Sequence, residues 1–133
     1  NTIYFWYSLP NSIGKTYIET MNVHQKGMLA TMRELLPYAL PDMDSKNRYI
    51  YGNYFITSRE VFISYMDSAT MLLDLFLAKN PINSQCPFEI SSSLYRGSLR
   101  CTGYFMESYI NIWAVRNNIS LVYAVDEPSW RLS

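Results

Sequence analysis

The chain opens with an apolar run that gives way to turn-forming residues. The aromatic and β-branched run over 3–9 predicts a short buried strand. Thr16 and Glu19 then form a capping box, and apolar residues recur at helical spacing as far as Pro37. The pattern therefore predicts a first helix between Thr16 and Pro37, with Gly27 weakening its middle.

A second strand and a second helix follow a polar loop. Residues 49–56 alternate in character and contain β-forming side chains, which predicts a strand. Thr57 and Glu60 form another capping box, and Asn80 and Pro81 end the helical pattern. The stripe that we expect this helix to bury consists of Phe62, Tyr65, Met66, Ala69, Leu72, Leu73 and Phe76.

The last third of the chain predicts a loop, a helix and a strand. Residues 81–98 are rich in Asn, Ser and Pro, which is typical of a long loop. A third helix is predicted over 103–117 and a buried strand over 121–125. The face that this helix is expected to bury holds Phe105, Tyr109, Ile112 and Trp113. These elements together predict an α/β fold with three helices and short strands.

Composition narrows the class of protein. A chain of 133 residues predicts a single domain over 1–133. Hydrophobic residues make up 49% and charged residues 17%, which excludes disorder. Eleven basic residues balance eleven acidic ones, so we expect no nucleic-acid partner. The 16% of aromatic residues suit the walls of grooves for polar ligands as well as a core.

Cysteine count and hydropathy indicate a compartment. Cys86, Cys101 and the lone His24 supply too few ligands for a four-coordinate zinc site. The spacing of the cysteines permits a disulfide, but we expect two free buried thiols in a reducing cytoplasm. The apolar runs fall short of the about 20 residues that span a bilayer, so we also expect no membrane span.

Residues 11–16 and 121–127 together mimic an ATPase. The first segment matches the end of a phosphate-binding loop, and Asp126 stands where a Mg²⁺ carboxylate would follow a strand. The full motif needs a glycine where this chain has Leu9, and Pro10 has no N–H to offer a phosphate. A phosphate-loop nucleotide-binding protein is therefore an alternative.

A pair of acidic residues lies in the polar loop after the first predicted helix. Asp42 and Asp44 match the D-x-D pair with which glycosyltransferases hold a divalent ion. Pro41 and a polar loop surround the pair, which favours a solvated turn. His24 has no acidic residue three or four positions away, so an ordinary helix histidine is the favoured interpretation.

The most specific pattern lies in the third predicted helix. It consists of Arg100, Gly103, Tyr104, Glu107, Asn111 and Trp113. On a helical wheel Glu107 and Asn111 share the face opposite the apolar stripe, so a carboxylate and an amide would project together. Such a carboxylate suits a general base, although the favourable field at a helix N-terminus also explains its position.

These residues resemble a family of bacterial glycosyltransferase-like domains found in capsule and exopolysaccharide gene clusters, mostly catalogued as a domain of unknown function. The likeness begins with the helix that holds His24 and leads to Pro37. It continues with an Asn-x-Phe-Ile strand that turns into a helix, matched by Asn53, Tyr54, Phe55, Ile56, Arg59, Glu60 and Phe62. It ends on the pattern that runs from Arg100 to Trp113.

The resemblance implies a single-Rossmann-like domain of the GT-A type, of which this chain is the C-terminal, acceptor-side half. The nucleotide-binding half, with its own acidic metal motif, would precede Ile3. A divalent metal, Mg²⁺ or Mn²⁺, would then belong to the full-length protein and none to this chain, which would be inactive alone. The implied partners are a nucleotide sugar and a carbohydrate acceptor in polysaccharide biosynthesis.

The resemblance also implies roles for single residues. Glu107 would deprotonate the acceptor hydroxyl, and Arg100 would orient the base or a phosphate. The implied substrate-binding residues are Tyr49, Tyr51, Asn53, Tyr54, Tyr104 and Asn111. A non-catalytic carbohydrate-binding or interaction domain with the same tyrosine-rich groove is the other alternative. Because a half domain would expose a sheet edge and an apolar face, we expect self-association.

Overall fold

The computed structural model of the chain describes residues 1–6, 25–41, 50, 54–81, 84–89 and 98–124. Its elements are β1 (Thr2–Phe5), α1 (Met28–Leu35), β2 (Phe55–Thr57), α2 (Arg59–Lys79), α3 (Ser98–Arg116) and β3 (Ser120–Tyr123). Helices and a small mixed sheet confirm the α/β class. The GT-A architecture stays a prediction.

Strand β1 forms the centre of a three-stranded sheet with the order β2-β1-β3. It pairs antiparallel with β2 and parallel with β3, so that Ile3 faces Thr57 on one side and Leu121 on the other. The Thr57 hydroxyl donates to the Thr2 carbonyl at 2.7 Å. Ile3 and Phe5 alternate with half-buried neighbours and are 1% and 0% exposed. One face of β1 therefore supplies the core of the sheet.

Helices α2 and α3 form the other half of the core through aromatic contacts. The rings of Phe76 and Phe105 stack with their centroids 4.4 Å apart. Tyr65 stacks on Tyr109 at 6.2 Å and meets the edge of Trp113 at 5.4 Å. Since rising numbers in α2 pair with falling numbers in α3, the two helices run antiparallel. The predicted buried face of α3 is confirmed, because all four of its aromatic and apolar residues are buried.

Helix α1 is shorter than the predicted helix that runs through Gly27. Gly27 has a φ of +91°, in the left-handed region that a continuous helix does not allow. The N–H of Met28 donates to the carbonyl of Gln25, so a turn precedes the helix and Gly27 is its N-cap. The prediction at this position is therefore wrong. Residues 16–24 lie outside the described residues.

Helix α2 begins one residue later than the capping box predicted. Thr57 belongs to β2, and the side chain of Ser58 accepts a hydrogen bond from the N–H of Val61 at 3.3 Å. The end of the helix is as predicted, with Asn80 as its C-cap before Pro81. Thr57 is a favourable N-cap residue, but here it pairs with Ile3 of β1. It therefore belongs to the strand and does not cap the helix.

Three other predicted boundaries move. Strand β2 covers only Phe55–Thr57, while 49 and 51–53 lie outside the described residues. Helix α3 begins at Ser98, five residues before the predicted start at Gly103, which lies inside the helix. Strand β3 is Ser120–Tyr123 and half-buried rather than fully buried. The first residues of α3, Ser98 to Thr102, contain too few apolar side chains to show a helical period.

The buried face of α2 is rotated from the predicted stripe. Its buried residues are Val61, Tyr65, Ala69, Leu72 and Phe76. Phe62 and Met66, which the stripe included, are 45% and 41% exposed. The reason is that α2 carries apolar residues around most of its circumference, so its packing partners decide which of them are buried. By length and composition alone α2 is apolar enough to cross a membrane, with a mean hydropathy of 1.5.

Candidate functional site

The residues of the third-helix pattern lie along one side of α3. Their spacing of three and four residues puts Arg100, Gly103, Tyr104, Glu107 and Asn111 on the same face. Gly103 is exposed, and a Cβ atom added there would meet nothing within 4 Å. Tyr104 and Glu107 are half-buried, and Asn111 is fully buried. This face of α3 is therefore exposed at Gly103 and buried at Asn111.

Asn111 closes this face by binding the backbone of a distant residue. Its Oδ1 accepts a hydrogen bond from the N–H of Ile50 at 2.8 Å, and its Nδ2 donates to the Ile50 carbonyl at 3.0 Å. Both polar backbone groups of a residue that is 1% exposed are thereby satisfied. The side-chain amide satisfies both backbone groups as a neighbouring strand would, and it attaches Ile50 to α3.

Of the predicted substrate-binding residues, the structure describes Tyr54, Tyr104 and Asn111. Tyr49 and Tyr51 are the chain neighbours of Ile50 and, like Asn53, lie outside the described residues. Tyr54 lies immediately before β2 and is 67% exposed. Arg100 lies in the first turn of α3. We expected the side chains of Glu107 and Asn111 to project together from α3. This expectation is wrong for Asn111, because its side chain is buried inside the protein.

Several other candidate residues lie outside the described residues. These are His24, Asp42, Asp44, Lys15 and Asp126. The phosphate-loop and D-x-D interpretations therefore stay predictions. In the described ranges, no group of three or more His, Cys, Asp or Glu side chains is placed to hold a metal ion.

A cluster of tyrosine hydroxyls lies between α2, α3 and the segment after α1. Tyr38 hydrogen-bonds Tyr109, whose hydroxyl also hydrogen-bonds Ser68. Burial, with the hydrogen bond to Tyr109, raises the pKa of Tyr38, and burial raises the pKa of Tyr65 to about 12. The Arg116 guanidinium lies 3.5 Å above the centre of the Tyr38 ring. The raised pKa values keep the hydroxyls of Tyr38 and Tyr65 protonated at neutral pH, and the hydrogen bond between Ser68 and Tyr109 joins α2 to α3.

An apolar groove of about 390 Å³ opens between β2, α2 and α3. Its lining residues are Phe55, Phe62, Tyr65, Met66, Ala69, Thr70, Leu73 and Met106. Met106 directly precedes Glu107 in α3. The sequence analysis missed the groove because it assigned the apolar residues of α2 to one buried stripe. The signal was present in the number of those residues, which exceeds what one helix face can hold.

A disulfide joins Cys86 to Cys101, so the prediction of two free thiols is wrong. The loop that contains Cys86 also contacts the turn before α1, where the N–H of Glu89 donates to the Lys26 carbonyl and Phe88 packs beside Gly27. The Cα atoms of the two cysteines are 5.8 Å apart, a normal separation for a disulfide. Disulfides persist in oxidising compartments. The cytoplasmic location stays a prediction that the disulfide does not favour.

No protein-family model matches this chain. Searches of curated proteins and of solved structures also gave no match.

Proposed function

We propose that this chain forms the acceptor side of a glycosyltransferase that moves a sugar from a nucleotide-sugar donor in polysaccharide biosynthesis. The observation that supports the proposal most directly is the attachment of Ile50 to Asn111. It holds Ile50 against the face of α3 on which Glu107 lies one turn before Asn111. Aromatic side chains with polar tips suit polar ligands and a carboxylate suits a general base, so Tyr104 and Glu107 on this face support a site for a sugar acceptor.

The chemistry assigned to Glu107 is that of a general base. Its carboxylate accepts the proton of an acceptor hydroxyl while the hydroxyl oxygen bonds the anomeric carbon of the donor sugar. The bond from that carbon to the phosphate oxygen breaks, and the nucleoside diphosphate leaves with the electron pair. Proton transfer of this kind contributes about 10²–10⁴-fold to a rate. The donor and the divalent metal belong to the part that the resemblance assigns upstream of Ile3.

Open space beside Glu107 supports the entry of an acceptor. Gly103 lies one turn before Glu107 on the same face, and a Cβ atom added there would meet no atom within 4 Å beyond its chain neighbours and the backbone of its own helix. Tyr104 lies half-buried between them and offers an aromatic surface.

The test is a transfer assay on the longest natural form of the protein with nucleotide sugars, oligosaccharide acceptors and Mg²⁺ or Mn²⁺. Glu107→Gln is expected to lower kcat by about 10²-fold or more, because the base is lost while the shape is kept. Gly103→Leu is expected to raise KM for the acceptor by filling the open space. Glu34→Gln, at an exposed carboxylate of α1, is the matched control and is expected to leave both constants unchanged.

Other outcomes point to the alternatives. Near-normal transfer by Glu107→Gln would contradict the general-base role. Oligosaccharide binding without dependence on a donor, unchanged in Glu107→Gln, would favour a carbohydrate-binding domain. A rise in Tm with Mg²⁺-ATP that Lys15→Ala abolishes would favour a phosphate-loop protein.

A further inference from the structure

Helix α2 presents a continuous apolar face to solvent beside the groove. Phe62, Ile63 and Met66 are 45%, 46% and 41% exposed. Thr70 and the half-buried Leu73 extend the same side of the helix by two further turns. Apolar surface of this extent on one element is unusual for a protein that stays alone, and it marks a place of contact.

Opposite charges flank this face at equal distances from its centre. Arg59 is the first residue of α2 and Asp74 lies four turns later on the same side, and both are exposed. The midpoint between them lies between Met66 and Asp67, at the centre of the apolar residues. Ile63 and Thr70 are also equally spaced about this point. The face is therefore self-complementary when one helix is turned end to end against another.

We propose that this face of α2 is an interface between two copies of the chain, packed antiparallel about a two-fold axis that passes near Met66. Symmetric pairing places Arg59 of one protomer opposite Asp74 of its partner, and the symmetry repeats that ion pair. Met66 and Ile63 lie near the centre, where water is excluded, and the charged pairs form the rim. A single helix face is at the small end of interface sizes, so the dimer is a transient one.

The charges of α2 favour a second copy over a lipid surface. Glu60, Asp67 and Asp74 are exposed beside the apolar residues, against Arg59 and Lys79. Anionic headgroups repel a helix whose exposed face is net acidic. A second copy of the chain is compatible with these acidic groups, because it supplies Arg59 as a positively charged partner.

The test is sedimentation analysis of the 133-residue chain over an about 100-fold range of concentration. The wild-type chain is expected to shift from monomer to dimer. Met66→Lys and Ile63→Lys are each expected to raise the dimer Kd by about tenfold or more, since they place a charge in the apolar centre. Met71→Lys changes a methionine outside this face that is 69% exposed, against 41% for Met66, and is expected to leave Kd unchanged.

A charge exchange tests the orientation of the pair. Arg59→Asp and Asp74→Arg alone are each expected to weaken the dimer, because like charges then meet, and the double variant is expected to restore it. Far-UV circular dichroism confirms that each variant is folded. A monomer at every concentration, a dimer as sensitive to Met71→Lys as to Met66→Lys, or binding of anionic vesicles by a monomeric wild-type chain would each overturn the proposal. None of these outcomes depends on transfer activity, so they leave the proposed function to its own assay.

Discussion

Helices α2 and α3 pack against each other, but they arrange apolar and polar residues in opposite ways. Helix α2 exposes large apolar side chains and buries a narrow stripe. Helix α3 buries polar residues among its aromatic ones, with Asn111 at 0% and Ser108 at 8% exposure. The polar groups of α3 each have a defined partner, Ile50 for Asn111 and the Tyr104 carbonyl for Ser108. The exposed apolar groups of α2 lie against solvent.

The two helices therefore differ in how specifically their residues determine a packing partner. A buried polar group is stable only where one specific partner reaches it, so the polar residues of α3 fix which distant segment covers the helix. An apolar side chain accepts almost any apolar neighbour, so the residues of α2 leave the choice of buried face to whatever packs there. Residues of α3 therefore define a site, and residues of α2 offer a surface.

The largest effect is expected from removing the amide of Asn111. Asn111→Leu keeps the size of the side chain but leaves the N–H and carbonyl of Ile50 buried without their partner. We expect the free energy of unfolding to fall by about 3 kcal/mol, because each unsatisfied buried group costs about 1–3 kcal/mol. Urea unfolding measures the change.

Asn117→Leu is the matched control for this change. Asn117 follows the same helix, is exposed, and donates its side-chain N–H to the Trp113 carbonyl at 2.8 Å. Its loss is expected to cost less than about 1 kcal/mol, since water replaces the bond. Equal losses for the two variants would mean that α3 does not depend on its buried polar pair, and the comparison with α2 would break down.

A smaller effect is expected from the tyrosine of α2 that faces α3. The pKa of Tyr65 is raised from 10.0 to about 12 by burial and by Tyr109. As pH rises from 10 toward 12, the unfolded chain releases this proton while the folded chain keeps it. The free energy of unfolding therefore falls in this window, and Tyr65 accounts for up to about 2 kcal/mol of the fall.

Unfolding measured at several alkaline pH values checks this expectation. Tyr65→Phe has no proton to release and is expected to lose less stability above pH 10 than the wild-type chain. Tyr54→Phe, at a hydroxyl that is 67% exposed, is expected to follow the wild-type curve. If Tyr65→Phe follows it as well, the buried Tyr65 hydroxyl is not the source of the stability lost above pH 10.

The sequence predicted those features whose cause is local. The end of α2 at Asn80 and Pro81 and the buried aromatic face of α3 depend on neighbouring residues and on helical period, and both are confirmed. The α/β class follows from the same patterns. The likeness in α3 singled out Asn111, although as a ligand group rather than as a buried partner of Ile50.

Features whose cause is distant could not be predicted. The pairing of Asn111 with Ile50 spans 61 positions, and nothing near either residue specifies the other. The disulfide depends on the packing of a loop whose Phe88 lies beside Gly27. The spacing of the two cysteines alone therefore did not decide between a disulfide and free thiols. The buried stripe of α2 depended on its partners. The face of Arg100, Gly103 and Glu107 was predictable because helical spacing sets it.

The smallest effect on the free energy of unfolding is expected at the residue directly before α2. There the start of the helix depends on local hydrogen bonding alone. The Ser58 hydroxyl accepts a hydrogen bond from the Val61 N–H, so Ser58→Ala is expected to lower the free energy of unfolding by about 1 kcal/mol. Ser58→Asp keeps an acceptor and is expected to retain the stability. Ser64→Ala makes the same change at an exposed position inside α2 and is expected to cost nothing, because alanine favours the helix. A loss for Ser64→Ala equal to that for Ser58→Ala, in urea unfolding, would show that α2 does not rely on its cap. The start of α2 would then be determined by contacts that are distant in sequence, as is the contact between Ile50 and α3.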